Sequence, residues 1–194
     1  MRVLVIYCHP SNDSFTYHVK ENFVRGLKDN HHQVIVNDLY LNNFNSTMSE
    51  SEYLREAYYN NELDILDDVK QQQELINNSD ALVFIYPVFW SEAPSALVGW
   101  FQRVWTYGFA YGDSAKMKVQ DKVLFLVTMG GDLKEELRQR QVAAMKEVMV
   151  GDRINNRSKE TQFVVYDRMS RDYQDRNNKM KSYLENAYQR GLKF

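Results

Sequence analysis

The sequence predicts an α/β protein: a three-layer sandwich around a five-stranded parallel sheet in the order 2-1-3-4-5. Three observations carry this. Short runs at Val3–Tyr7, Ala81–Tyr86 and Val123–Thr128 are rich in β-branched residues and apolar on both faces. That is the pattern of central strands in a sheet covered on both sides. Amphipathic helical segments separate these runs. The resulting β-α-β-α alternation implies parallel strands joined by right-handed crossovers, for which 2-1-3-4-5 is a common doubly wound order.

Each element has its own local justification. The first strand leads into a helix over Ser14–Asn30, with Phe15, Val19, Phe23, Val24 and Leu27 at helical spacing. Gln33–Asp38 is a weaker strand and is expected at an edge. The connection from Leu41 to Asp67 is long, and Ser49 with Glu52 can open a short helix inside it as a capping box. Asp67–Asn78 repeats Val69, Leu75 and Ile76 and precedes the buried strand at Ala81. Pro94–Trp105 carries Leu97, Val98, Phe101, Val104 and Trp105, with Pro94 suited to a first turn that needs no N–H. Asp132 followed by Glu135 reads as an N-cap opening a helix to Val150. Gln162–Tyr166 is a second edge strand, and Ser170–Leu192 closes the chain as a helix. In that helix Tyr183, Leu184 and Tyr188 are expected to face the core.

Composition narrows the function classes. The 194 residues suit one domain over 1–194, without repeats or low-complexity linkers. A formal charge of -2 argues against a nucleic-acid binder, which needs a basic excess to offset phosphates. The single cysteine, Cys8, excludes an intrachain disulfide and suits a reducing compartment. It reads as a buried apolar residue rather than a reactive thiol. No apolar run approaches a membrane span, and Val3–Ile6 is too short for a signal core. A cytoplasmic location is therefore expected. The four histidines and one cysteine offer no metal cluster, and adjacent His31 and His32 read as a surface turn.

In open parallel sheets, ligands bind beyond the carboxyl ends of the strands, where strand order reverses. Three loops meet there. The first, His9-Pro10-Ser11-Asn12-Asp13-Ser14-Phe15-Thr16, joins a strand to a helix whose free N–H groups attract anions. It reads either as a phosphate site or as a plain turn capped by Asp13 or Ser14. The second, Pro87-Val88-Phe89-Trp90, places bulky apolar residues where a polar turn is expected. It reads as a wall for a flat heteroaromatic ring, or as a plug over the core or half of a subunit interface. The third, Thr128-Met129-Gly130-Gly131, permits close backbone approach to a ligand. Neither GxGxxG after the first strand nor GxxxxGK[ST] is present.

With those segments in view, the sequence resembles the flavodoxin-like NAD(P)H:quinone oxidoreductases, a family of flavodoxin-like three-layer sandwiches. The family includes drug-activity modulator flavoproteins and ancillary flavoproteins of potassium-efflux systems. The resemblance is carried by His9-Pro10, Ser14-Phe15-Thr16, Asp38-Leu39-Tyr40, Phe44-Asn45, and Tyr86-Pro87 with Trp90. It continues through Pro94-Ser95-Ala96-Leu97, Gly99-Trp100-Phe101-Gln102-Arg103-Val104, Gly108-Phe109-Ala110-Tyr111-Gly112 and Thr128-Met129-Gly130-Gly131. It covers about the first 132 residues.

The resemblance implies a bound flavin. His9, Ser14, Phe15 and Thr16 would hold its phosphate. Pro87, Val88, Phe89 and Trp90 would line the isoalloxazine, and Thr128, Gly130 and Gly131 would close the pyrimidine side. It implies hydride transfer from NADH or NADPH to the flavin, then two-electron reduction of a quinone or related acceptor. It also implies a homodimer, with Trp105, Tyr107 and Phe109 as boundary residues. The larger relatives carry a Tyr and a His after the Gly-Gly loop. Here Asp132-Leu133-Lys134-Glu135-Glu136 follows, and no histidine lies beyond His32. The long C-terminal extension of the larger enzymes is also missing, which makes FMN the expected cofactor with FAD open. The alternative role is a flavoprotein subunit that activates a membrane potassium-efflux transporter. An electron-carrier flavodoxin would be strongly acidic, which this chain is not. The acidic run from Glu50 to Asp68 reads as a solvated face, and Lys134–Lys146 as an exposed helix.

Overall fold

The computed structural model describes residues 1–194. Five parallel strands, β1 (Arg2–Tyr7), β2 (Gln33–Asp38), β3 (Ala81–Pro87), β4 (Gln120–Thr128) and β5 (Ser158–Tyr166), form one sheet in the order β2-β1-β3-β4-β5. The expected strand order is the observed one. Gln33–Asp38 and the strand ending at Tyr166 lie at the two edges, as their weaker apolar patterns predict.

Helices α1 (Phe15–Asp29), α2 (Glu50–Ala57), α3 (Asp67–Asn77), α4 (Ser95–Val104), α5 (Glu136–Lys146) and α6 (Arg176–Leu192) connect and cover the strands. Successive strand residues point to opposite faces, so each buried strand serves two cores. Leu4, Ile6, Leu82, Phe84, Phe125 and Val127 face α3 and α4, against Val69, Ile76, Leu97, Trp100 and Phe101. Val3, Val5, Val83, Ile85, Leu124 and Leu126 face α1 and α6, against Val19, Phe23, Leu27 and Ala187. Cys8 is fully buried, and burial pushes its thiol pKa up to about 12. In α6, Tyr183 and Leu184 pack on the second core, but Tyr188 turns its hydroxyl to Asp29 at 3.0 Å. The reason is Gly191 and Gly26: a Cβ on Gly26 would lie 2.2 Å from the Tyr188 carbonyl oxygen. Backbone meets backbone at this crossing, leaving no room for a tyrosine ring.

Several boundaries differ from expectation. Ser49 does cap α2, and its capping box with Glu52 is complete. Pro94, however, is the cap residue of α4 rather than part of its first turn. Asp132 does not open α5, which starts at Glu136. The Asp132 carboxylate instead accepts from the Lys134 N–H at 2.9 Å and pairs with Arg168. Beyond Lys146 the helix does not stop at Val150 but continues as a π-helix over Glu147–Ile154. The final helix begins at Arg176, because residues 167–175 are held in a loop by Arg168 and Asp175.

The acidic run is only in part the solvated face expected of it: Glu50, Glu62, Asp64 and Asp67 are exposed, but Glu52, Glu56 and Asp68 are engaged by the fold. Arg103 is 2% exposed and donates to Glu52 at 2.7 Å, to Asp68 at 2.6 and 3.1 Å, and to the Asn45 carbonyl at 2.5 Å. Glu56 accepts from Arg55, from the Tyr107 N–H and from the Tyr111 hydroxyl. These carboxylates are attachment points that fasten the long 41–67 connection to α4 and the loop after it. Apart from Arg55, their partners lie 35 to 55 residues away in sequence, so no local pattern announces them.

Candidate functional site

The carboxyl ends of β1, β3 and β4 bring the three expected loops to one edge of the sheet. Two contacts join them directly. The Thr16 and Thr128 hydroxyls meet at 2.7 Å in a buried pair, and the Val88 N–H donates to the Thr128 carbonyl at 2.8 Å. One threonine hydroxyl donates and the other accepts, so the accepting one keeps a hydrogen for another partner.

In the first loop Ser14 is the N-cap of α1. Its Oγ accepts from the Tyr17 N–H at 3.0 Å and donates to the Ser11 carbonyl at 3.1 Å. The hydroxyl hydrogen expected for a phosphate is thus already engaged. What the loop presents is backbone: the Phe15 and Thr16 N–H groups have no intrahelical partner and end the positive pole of α1. The Phe15 ring points inward onto Tyr166 and Tyr183. His9 Nδ1 accepts from the Ser11 N–H at 2.9 Å, which leaves the hydrogen of the neutral ring on Nε2. Burial lowers the His9 pKa, which favours that neutral donor.

The second loop is a tight hairpin. Phe89 and Glu92 exchange N–H···O bonds at 2.9 and 3.0 Å, with Trp90 and Ser91 at the tip. Both tip residues have positive φ, 52° and 63°. This pattern belongs to a type I′ turn, which favours Asn-Gly rather than Trp-Ser. Two non-glycine residues held there store strain of about 1–3 kcal/mol each. The turn leaves the Trp90 and Ser91 N–H groups unbonded and the Trp90 side chain fully exposed, with Phe89 45% exposed beside it. Pro87 is buried at the strand end and Val88 is half-buried on the core. The Trp90 ring is therefore no plug over the core.

In the third loop, the carbonyls of Met129, Gly130 and Gly131 accept from the N–H groups of Met169, Ser170 and Arg168. The Gly130 and Gly131 N–H groups have no partner within the chain. Beside Gly130 a Cβ would meet only Ser170, at 3.6 Å, so its far side is open.

The segment from Asp167 to Ser170, which the sequence reading passed over, is what clamps this loop. Asp167 accepts from the Leu133 N–H at 3.0 Å, Lys179 at 2.9 Å and the Tyr183 hydroxyl at 2.5 Å. Although burial alone would raise the Asp167 pKa, those bonds outweigh it and hold the carboxyl below its usual range. Arg168 bridges Asp132 and Asp175. The readable sign was an Asp-Arg pair at the carboxyl end of the fifth strand.

The donor set thus comprises neutral N–H groups at a helix N-terminus, a neutral imidazole, free N–H groups on two adjoining loops and an exposed indole. It fits a phosphate joined to a planar ring with acceptor edges. Of the residues expected at a subunit boundary, Phe109 is buried in its own chain. Trp105 is half-buried against Trp100 and donates to the Arg153 carbonyl at 2.6 Å, and Tyr107 lies against Tyr59 and Tyr111.

Comparison with known proteins follows the same outline. The sequence model of the family described as flavodoxin-like fold matches residues 1–154. An uncharacterized NAD(P)H oxidoreductase, YcaK, of Escherichia coli is 31% identical over 131 residues, covering 68% of this chain and 65% of the relative. NAD(P)H dehydrogenase [quinone] 1 of Rattus norvegicus is 32% identical over 149 residues, covering 67% of this chain and 54% of the relative. The chain thus spans between about half and two thirds of the curated relatives it matches. The solved structure of an NAD(P)H:quinone oxidoreductase from Methanothermobacter marburgensis superposes with a TM-score of 0.91 at 34% identity, covering 99% of this chain and 94% of that one. Fold, sheet order and sequence agree, and the chain belongs to the flavodoxin-like fold family.

Proposed function

We propose that the protein is a flavin-dependent NAD(P)H oxidoreductase that reduces quinones or related acceptors by two electrons. The observation that carries the proposal is the strained Trp90–Ser91 turn. It holds two free N–H groups and an exposed indole beside the Gly130–Gly131 donors, at the sheet edge where α1 presents an anion site. The similarity to named NAD(P)H oxidoreductases from a bacterium, a mammal and an archaeon supports the same reading.

FMN is the proposed cofactor, with FAD as the second choice. It would supply the hydride-accepting chemistry; the chain supplies position and charge. His9 Nε2 and the Phe15 and Thr16 N–H groups bind the phosphate, while Ser14 and Thr16 shape the loop through their cap and hydroxyl pair. Val88, Phe89 and Trp90 present the ring-facing wall, with Pro87 ending the strand beneath them. Thr128, Gly130 and Gly131 meet the polar edge of the ring. No metal enters the proposal. We place the protein in the cytoplasm, in keeping with its single buried cysteine. No helix is long and apolar enough to cross a membrane.

A homodimer belongs to the same proposal. Tyr53, Tyr58 and Tyr59, on and after α2, are exposed aromatic residues that a second copy would cover. The test is oxidation of NADH and NADPH by the purified protein with a benzoquinone, monitored at 340 nm. Quinone-dependent oxidation with ping-pong kinetics is expected. Absence of turnover in flavin-loaded protein contradicts the proposal, whereas high turnover of a free dimer tells against the transporter-activating role.

A further inference from the structure

The family resemblance implies a Tyr and a His after the Gly-Gly loop of larger relatives, and neither follows it here, so charge that would develop at that end of a bound ring needs another partner. Arg138, on the first turn of α5, packs directly against Gly131. A Cβ built on Gly131 would lie 2.8 Å from the Arg138 Nε and 3.0 Å from its Cδ. A Cβ at 131 would have to push the Arg138 side chain aside. The Nε hydrogen is buried and has no acceptor. One terminal nitrogen donates to Gln141 at 2.9 Å, and Nε forms a loose ion pair with the half-exposed Glu135 at 3.6 Å; the Arg138 side chain is itself 39% exposed.

Two other cations at this end of the sheet are committed. Arg168 is held between Asp132 and Asp175, and Lys179 between Asp167 and the Tyr183 hydroxyl. Their three carboxylates outnumber the two cations, so that cluster contributes net negative charge. Arg138 is the cation whose side chain packs on the Gly-Gly loop itself, and its carboxylate partner is a loose ion pair with Glu135.

We infer that Arg138 supplies the positive charge that favours the reduced, anionic ring over the oxidised one. This rests on the flavin reading above. The balance is simple. A hydride brings two electrons and one proton from the nicotinamide, so a neutral ring becomes an anion unless a further proton follows. The negative charge accumulates toward the pyrimidine edge, the edge assigned to Thr128, Gly130 and Gly131. A guanidinium keeps its charge throughout and donates no proton. Arg138 thus acts as a fixed electrostatic partner, unlike an acid–base relay.

The test uses FMN-loaded wild type, Arg138→Gln, Arg138→Lys and Gly131→Ala. Two quantities are read: the dissociation constant for oxidised FMN and the two-electron midpoint potential. Arg138→Gln is expected to bind oxidised FMN within about twofold of wild type and reduced FMN about tenfold more weakly. That ratio lowers the potential by about 30 mV. Arg138→Lys restores part of the shift because charge returns without the fork geometry. Gly131→Ala reproduces the shift, because its Cβ displaces the guanidinium. An Arg138→Gln potential equal to wild type overturns the inference. So does equal weakening of both redox forms, which is what a merely structural role produces. Wild-type protein that takes up no FMN overturns the flavin reading itself, and that outcome is visible before any variant is compared.

Discussion

At the scale of single residues, the site is built more from backbone than from side chains. Ser14 spends its hydroxyl on the α1 cap, and Phe15 spends its ring on the core. The sequence points to both as candidate site positions; in the fold, what they provide is the conformation that frees the N–H groups of the helix start. The Trp90–Ser91 turn was not legible, because the pair lacks the Asn-Gly signature by which such turns are recognised. Its strain gives a prediction. Ser91→Gly removes a positive-φ penalty at Ser91, where φ is 63°. The flavin-free protein should gain about 0.5–1 kcal/mol, net of the flexibility glycine adds to the unfolded chain. For a chain of this size the melting temperature should rise roughly 2 °C. An unchanged or lower melting temperature would show that the turn is relaxed without its ligand.

At the scale of elements, Arg103 explains why a 27-residue connection from Leu41 to Asp67 lies in a defined place. Burial alone would lower the Arg103 pKa; hydrogen bonds to Asp68 and Glu52 outweigh it and raise it. Arg103→Met would leave the Glu52 carboxylate, 9% exposed, without its partner. Breaking a buried pair from one side costs about 3–5 kcal/mol. Urea unfolding should show a loss of that order, and a smaller loss for Asp68→Asn, whose side chain is 40% exposed. Equal losses would contradict the view that Glu52 is the costly orphan.

Three carboxylates of the acidic run, Glu52, Glu56 and Asp68, were misread for a physical reason. Local spacing shows that charges are close together, but only the fold shows that Arg103 reaches them from a different helix. Asp132 was misread in the same way: as an N-cap by its neighbours, as an Arg168 partner by the β5–α6 loop. The π-helical continuation of α5 through Glu147–Ile154 has no account in the sequence.

At the scale of the whole molecule, strand type and strand order were legible because burial on both faces leaves a strong mark on composition. Val3–Tyr7, Ala81–Tyr86 and Val123–Thr128 have almost no polar residues, and a parallel sheet is the arrangement that uses such runs. Their carboxyl ends then determine where three loops converge, and the Thr16–Thr128 pair marks that convergence at 2.7 Å. The clamp from β5, Asp167 to Ser170, was not legible because it lies beyond the segment carrying the family resemblance. The central claim is that this convergence binds one flavin per chain. The direct measurement is to purify the protein, release any bound cofactor by denaturation, and identify it by absorbance and mass. The account predicts a yellow protein that releases FMN, or FAD, in a one-to-one ratio with the chain. A colourless protein that takes up neither flavin when they are supplied would contradict it.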